Sequence, residues 1–335
     1  MSLIYSPFTF MASSSLVVST MMALSSANWI LLWTAMELNL LSFIPLILQS
    51  SSNQETEGSV KYFLAQALGS ALLLMSSSAM WMPFTPWPNT MPFILTLAVM
   101  LKLGSVPCHF WYPSVMSSIS WMSCLILSTW QKLAPLSIMA YILSMNNMML
   151  ITMMAGLNAL LGGIMGMNQS QVRTIMAYSS IGHIGWMLSL MSIFKPNTSM
   201  LYFIIYSTLI TPLFMIFSYF NIFTVKQMSK MSMINQNLHI STIMLLMSLG
   251  GLPPLTGFIP KFMSIMLLTD SMSLIMIMLI VGSVMNLYFY LNIIISMLFS
   301  TSSLNKSSYK FTKFSPMLIL SVATMSLGLA PIIMS

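Results

Sequence analysis

Five ionisable side chains stand where a chain this apolar can least carry them. Glu37, Lys102, Lys132 and Lys261 each lie inside a long hydrophobic run, and His183 sits in the middle of another, RTIMAYSSIGHIGWM. Charge is scarce everywhere else: Asp, Glu, Lys and Arg make up 4% of 335 residues, against 57% of hydrophobic types. A charge at the bilayer centre opposes insertion by ~2.5–3.5 kcal/mol, so four of them would oppose it by ~10–14 kcal/mol. Lys132 has about twelve residues of its run on either side, roughly 18 Å of helix, against a hydrocarbon half-thickness of about 15 Å. Its side chain cannot easily snorkel out. Water-filled cavities, mutual pairing or proton loss must offset the cost. A structural ion pair of Glu37 with one lysine explains that lysine and leaves two unmatched. A proton or ion path is the stronger reading. His183 joins it, with Tyr178, Ser179 and Ser180 at hand to hydrogen-bond the ring. His109 lies beyond a helix break, where it can satisfy freed backbone, and His239 begins a run and is expected at the interface.

The elements that must hold these groups are membrane helices. A soluble domain carries about 25% charged residues, so a mean hydropathy of +0.90 excludes a water-facing globule, and disorder with it. Eleven hydrophobic segments are read, at about 3–24, 26–48, 59–82, 91–115, 119–143, 148–168, 173–193, 198–222, 239–268, 272–299 and 315–333. Unbroken runs of helix length, without period-two alternation, exclude a β-barrel. The fold class is all-α, a polytopic membrane bundle. Loops after even-numbered segments, with adjacent helix ends, hold Lys61, Arg173, Lys226, Lys230, Lys306, Lys310 and Lys313; loops after odd-numbered ones hold Lys195 and Asp270. That bias places the amino terminus on the positive side, matrix or cytoplasm, and the carboxyl terminus opposite. The leading MSLIYSPFTF has no basic region, so no cleavable targeting segment is expected. Cys108 and Cys124 form no ligand or pairing motif, so neither a metal site nor a disulfide framework is expected. The net charge of +7 includes no basic run fit for nucleic acid and is read as contact with phospholipid, cardiolipin among the candidates.

Two segments are interrupted alike. Segment four carries Gly104, Pro107 and Pro113, and segment nine carries Gly251, Pro254 and Pro260, at the same spacing. Proline strands the carbonyl four residues back, here those of Leu103 and Gly250, and such carbonyls are tolerable at bilayer depth only inside protein or beside a hydrated cavity. An offset of five segments means opposite crossing directions. That is the mark of inverted repeats built around broken helices, with repeat one at about 1–145, repeat two at about 146–300 and an appended helix at about 315–333. Lys102 ends the first half of its segment, where the carboxyl-end dipole favours a cation. Lys261 opens a second half, where the amino-end dipole is expected to oppose one. Gly162, Gly163 and Gly166 read as close helix packing.

These motifs carry a resemblance. KLGSVPCHFWYP (102–113), STWQKLAP (128–135), RTIMAYSSIGHIGWM (173–187) and GLPPLTGFIPKF (251–262) resemble the NADH dehydrogenase subunit 2 family, antiporter-like membrane subunits of respiratory complex I. The likeness runs from about Asn28 to Tyr290, with the four motifs in order. It implies a proton chain in which Glu37 is the membrane glutamate, Lys102 its partner, Lys132 the central lysine, His183 the connecting histidine and Lys261 the exit-side lysine. It implies, too, residence in the mitochondrial inner membrane among other complex I membrane subunits. No redox centre is expected on this chain; NADH, FMN, iron–sulfur clusters and ubiquinone are expected on others. The 40 methionines fit animal mitochondria, where an isoleucine codon is commonly read as Met. Ser114 stands where many relatives carry Glu, so any role of that acid is lost. On the residues alone, a free-standing cation/proton antiporter and a scaffold with merely paired lysines stay open.

Overall fold

The computed structural model describes residues 7–50, 52–81, 90–142, 148–229, 236–253, 255–269 and 272–299. The eleventh expected segment, Pro254, Asp270 and the lysines at 230, 306, 310 and 313 lie outside the described residues. Among the described residues there are thirteen α-helices: α1 Pro7–Ser25, α2 Trp29–Ile47, α3 Asn53–Trp81, α4 Met91–Leu103, α5 Trp111–Ser118, α6 Trp121–Ser128, α7 Trp130–Ile142, α8 Met148–Met167, α9 Val172–Ser192, α10 Pro196–Phe220, α11 Gln236–Gly250, α12 Phe258–Leu268 and α13 Ser273–Phe299. Among the described residues there is no strand beyond an isolated bridge, Gln171 to Thr224. Six helices of the described residues (α1, α2, α3, α8, α10 and α13) are long and apolar enough to cross a bilayer.

Ten of the expected segments carry helix, but three are split. Segment four divides into α4 and α5, and segment nine into α11 and α12, at the Gly/Pro motifs. Segment five divides into α6 and α7 at Thr129, which the sequence reading missed. There the Ser128 and Thr129 hydroxyls both turn back onto the Leu125 carbonyl, at 3.1 and 2.7 Å, a contact that bends helices. Six residues on, Pro135 withholds its N–H from the Gln131 carbonyl. Lys132 therefore stands in a short stretch loosened from both ends.

The chain divides into two compact units, Met1–Ile151 and Thr152–Ser335. In the first, α1 lies along α2, and α3 packs on α2, α4 and α5. The Trp130 indole N–H ties α7 to α1 by donating to Thr20 Oγ1 at 3.2 Å. In the second, α8 is brought tightly onto α9 and α13 by glycine: a Cβ on Gly162 would lie 2.8 Å from the Gly182 nitrogen, and one on Gly163 3.0 Å from the Gly282 carbonyl oxygen. α9 is the most enclosed element, with eighteen of its 21 residues buried. Serines are tolerated in so apolar a chain because their hydroxyls donate to carbonyls of their own helix, as Ser42 does to Asn39 at 2.8 Å.

Candidate functional site

In the first unit, the chain leaves helical conformation at Gly104, whose φ of 68° is the left-handed value that ends helices. The Gly104 N–H returns to the Leu101 carbonyl at 3.1 Å and the Ser105 N–H to Met100 at 3.0 Å. α4 thus stops before Pro107 can matter, and the carbonyls at its end are those of Met100, Leu101 and Lys102, not only the expected Leu103. Each finds a donor: Ser105 for Met100, the Trp111 indole for Leu101 at 3.0 Å, and Gln66 of α3 for Lys102 at 3.2 Å. His109 bonds the backbone at Pro107, not the Leu103 carbonyl that the sequence reading took to be freed. Pro113 is not part of the break; it is the third residue of α5, where its missing N–H has no intrahelical partner to lose.

The break seats a ring. A Cβ on Gly104 would lie 2.8 Å from Tyr112 Cβ, so the glycine lets Tyr112 close against it. The Lys132 ammonium stands over that ring, 5.0 Å from its centroid, an attraction worth about 0.5–2 kcal/mol. Lys102 and Lys132 are 7% and 2% exposed, and both line one cavity of about 20 Å³, along with Gln66, Gln131, Tyr62 and Tyr112. That is room for about one water among several polar partners. Glu37, half-buried on α2, exerts its charge on Lys102. The one ion pair within 4.0 Å among the described residues is Lys61 with Glu57, so Glu37 and Lys102 are not in contact in this structure.

The second unit repeats the break. Gly251 has φ 83°, its N–H returns to Ser248 at 2.9 Å, and the Leu252 N–H returns to Met247 at 3.3 Å. Those offsets equal those at Gly104 and Ser105. Pro260, like Pro113, is the third residue of its half-helix, α12. Lys261, 5% exposed, folds back from α12 to donate to the carbonyls of Gly250 at 2.8 Å and Leu249 at 3.2 Å. The expected opposition of an amino-end dipole is therefore overturned. Its ammonium rests on the carboxyl end of α11, as Lys102 lies in the last turn of α4, so both lysines occupy the end that favours a cation.

His183 is buried in α9 at 5% exposure. The expected serine partners turn away, Ser179 to the Met176 carbonyl and Ser180 to that of Ala177. Instead its Nδ1 meets the Tyr202 hydroxyl of α10 at 2.9 Å, and its ring faces Tyr206 with centroids 4.9 Å apart. Tyr202 and Tyr206 stand four apart on one helix face, a spacing visible in the sequence that went unused. His239, expected at an interface, is buried at 7% and bonds the backbone at Met297. Residues of the first unit thus bring Lys102, Lys132 and Tyr112 together. In the second, His183 and Lys261 each have a settled seat.

Residues 26–286 match the family described as NADH:quinone oxidoreductase/Mrp antiporter, TM. The chain is similar to NADH-ubiquinone oxidoreductase chain 2 of Lumbricus terrestris, 61% identical over 334 residues and 100% of both chains. It is similar also to that of Oryctolagus cuniculus, 40% identical over 333 residues and 95% of both. Among solved structures, respiratory complex I from Thermus thermophilus with bound aureothin contains a chain of like fold, with TM-score 0.86 and 19% identity over 96% of this chain and 78% of that one. The Mrp complex from Dietzia sp. DQ12-45-1b contains another, with TM-score 0.79 and 15% identity over 96% of this chain and 74% of that one. At these identities the two structures share the fold.

Proposed function

The chain belongs to the NADH:quinone oxidoreductase/Mrp antiporter family of membrane proteins, and we propose that it is a proton-translocating membrane subunit of NADH:ubiquinone oxidoreductase. Protons pass along Glu37, Lys102, Lys132, His183 and Lys261, driven by electron transfer in other subunits. The observation that carries this reading is the pair of buried lysines, Lys102 and Lys132, facing one water-sized cavity. Two cations so placed repel, and the arrangement is easier to hold when one is a neutral amine. A lysine that hands on its proton becomes that amine and is refilled from the group before it, so the chain returns to its starting state after each proton.

The Glu37 charge is the switch in this reading. At about 4 Å and an effective dielectric near 20, unit charges attract by ~4 kcal/mol. Closing the pair holds the proton on Lys102, and opening it releases the proton toward Lys132. The matched hydrogen bonds at Gly104 and Gly251 support two inverted repeats, at about 1–145 and 146–300, with a further helix at about 315–333. NADH, FMN, the iron–sulfur clusters and ubiquinone are assigned to other subunits. In this reading the chain lies in the mitochondrial inner membrane, amino terminus toward the matrix, against other membrane subunits and phospholipid, cardiolipin included.

The test is Lys132→Met in the assembled enzyme, reconstituted in sealed vesicles with NADH oxidation and acidification followed together. Proton transport is expected to drop several-fold with assembly intact, and undiminished transport would remove Lys132 from the path. Glu37→Gln keeps the shape and deletes the charge. It should at least halve the protons moved per NADH, although all three lysines remain. Normal pumping by that variant would leave Glu37 a structural counter-charge.

A further inference from the structure

One wall of the cavity that Lys102 and Lys132 share belongs to α2. The α2 residues that reach it are Met36, Asn39 and Leu40, spaced i, i+3 and i+4 on one helix face. Asn39 is 4% exposed, and its Oδ1 meets no donor. On α7, Gln131 lines the same cavity and brings a buried Nε2 that meets no acceptor. A buried amide atom left so has lost its hydration and gained nothing in return. Leucine would fill either position without that loss. Gln66, also on the cavity, is already engaged, since its Nε2 donates to the Lys102 carbonyl at 3.2 Å.

The two unmet groups are complementary, an acceptor on Asn39 and a donor on Gln131, and they do not meet each other. The cavity they line, at about 20 Å³, is the size of one water. A water has two hydrogens to give and two lone pairs to fill. One hydrogen goes to Asn39 Oδ1, and one lone pair takes the Gln131 N–H. One hydrogen and one lone pair are left over, in a cavity that Lys102 and Lys132 both line.

We propose that Asn39 and Gln131 form a binding site for a single water that carries the proton from Lys102 to Lys132, with Asn39 as its positioning residue. The proposal rests on the reading of the two lysines as proton carriers. The Lys102 ammonium gives a proton to the free lone pair as the water's free hydrogen passes to the neutral Lys132 amine. One N–H bond and one O–H bond break, and one of each forms. The water ends neutral, Lys102 ends as the amine and Lys132 as the ammonium. An amide suits this seat because it aligns the water yet, being uncharged, holds no ammonium in place. A carboxylate would hold one by direct attraction.

In the assembled enzyme in sealed vesicles, Asn39→Leu keeps the bulk and removes the acceptor. Protons moved per NADH oxidised are expected to fall at least twofold, and an unchanged yield overturns the seat. Asn39→Asp separates alignment from packing. The other groups that titrate on this cavity are Lys102, Lys132, Tyr62 and Tyr112. The new carboxylate should hold the proton on a facing lysine, so the yield recovers only in a more alkaline medium, its pH profile moving up by about one unit or more. A profile that stays in place overturns the seat. Should either variant fail to assemble, a map of the unsubstituted enzyme that resolves ordered water gives an independent reading. One water bonded to both Asn39 Oδ1 and Gln131 Nε2 is expected; a dry cavity, or one whose water leaves either amide unbonded, overturns the site. A Lys132→Met enzyme that pumps normally removes the proton reading itself. A Lys132→Met enzyme that stops pumping, beside an Asn39→Leu enzyme that pumps normally, removes this seat alone.

Discussion

An alanine at position 257 is expected to abolish accumulation of the protein in its complex. A Cβ there would lie 1.8 Å from the Ser248 carbonyl oxygen and 2.6 Å from its carbon. The obstacle is backbone, so no rotamer change relieves it. Gly257 is the residue before α12, and Ser248 lies in the last turn of α11; the two half-helices would have to part. Separation would draw Lys261 from the carbonyls of Leu249 and Gly250 and leave a buried ammonium without its acceptors, a loss in the range of about 3–5 kcal/mol. Added to the backbone clash, this belongs to the small class of single substitutions that remove more than about 4 kcal/mol. The measurement is the amount of assembled complex on a native gel. Wild-type abundance of a Gly257→Ala enzyme would show that the two half-helices need not approach so closely.

Six residues earlier, the larger effect falls on transport. Gly251→Ala must adopt φ 83°, which costs a side-chain-bearing residue about 1–2 kcal/mol. The new Cβ would also lie 2.8 Å from both Cδ and Nζ of Lys261. Here the obstacle is the end of a flexible side chain, so the lysine gives way and the two half-helices need not part. Two charge-assisted hydrogen bonds are lost, each worth about 1.5–3 kcal/mol, and since about 1.4 kcal/mol is tenfold in an equilibrium, the seated lysine becomes the minor form. Proton transport is expected to fall at least tenfold in an enzyme that still assembles. The neighbouring Gly250→Ala is the control, because its Cβ would meet nothing closer than Leu287 Cγ at 3.8 Å. Equal activity of the two variants would mean that the Lys261 seat does not serve transport.

The contrast between what could and could not be read from the sequence follows the range of the forces. The breaks were legible because glycine and proline at matched spacing make local demands on the backbone, though the reading laid them to proline and the chain leaves helical conformation at Gly104 and Gly251. Glu37, Lys102, Lys132, His183 and Lys261 stood out because a titratable group in an apolar run is costly whatever surrounds it. What a group touches is another matter. His183 could have taken Ser179 or Ser180, but serine in a helix finds its own carbonyls first, and the actual partner arrives on the next helix. Lys261 was judged from the half-helix it belongs to, and its long side chain reaches the other one. The bend at Thr129 was missed because two hydroxyl bonds and a proline were each unremarkable alone. Tyr112 drew no notice until the turn at Gly104 brought its ring under Lys132.

The enclosure of α9 bears on how the protein is made. At 21 residues it is long enough to cross a bilayer, but Ser179, Ser180, Gly182, His183, Gly185, Ser189 and Ser192 are among its buried residues, and it is not one of the six helices apolar enough to do so on hydropathy. A segment so composed partitions poorly into lipid by itself. The glycine faces that α8 offers it and the Tyr202 hydroxyl that α10 supplies come from the segments synthesised immediately before and after. The helix is therefore expected to enter the lipid together with α8 and α10 rather than alone, its imidazole shielded from the acyl chains by its neighbours.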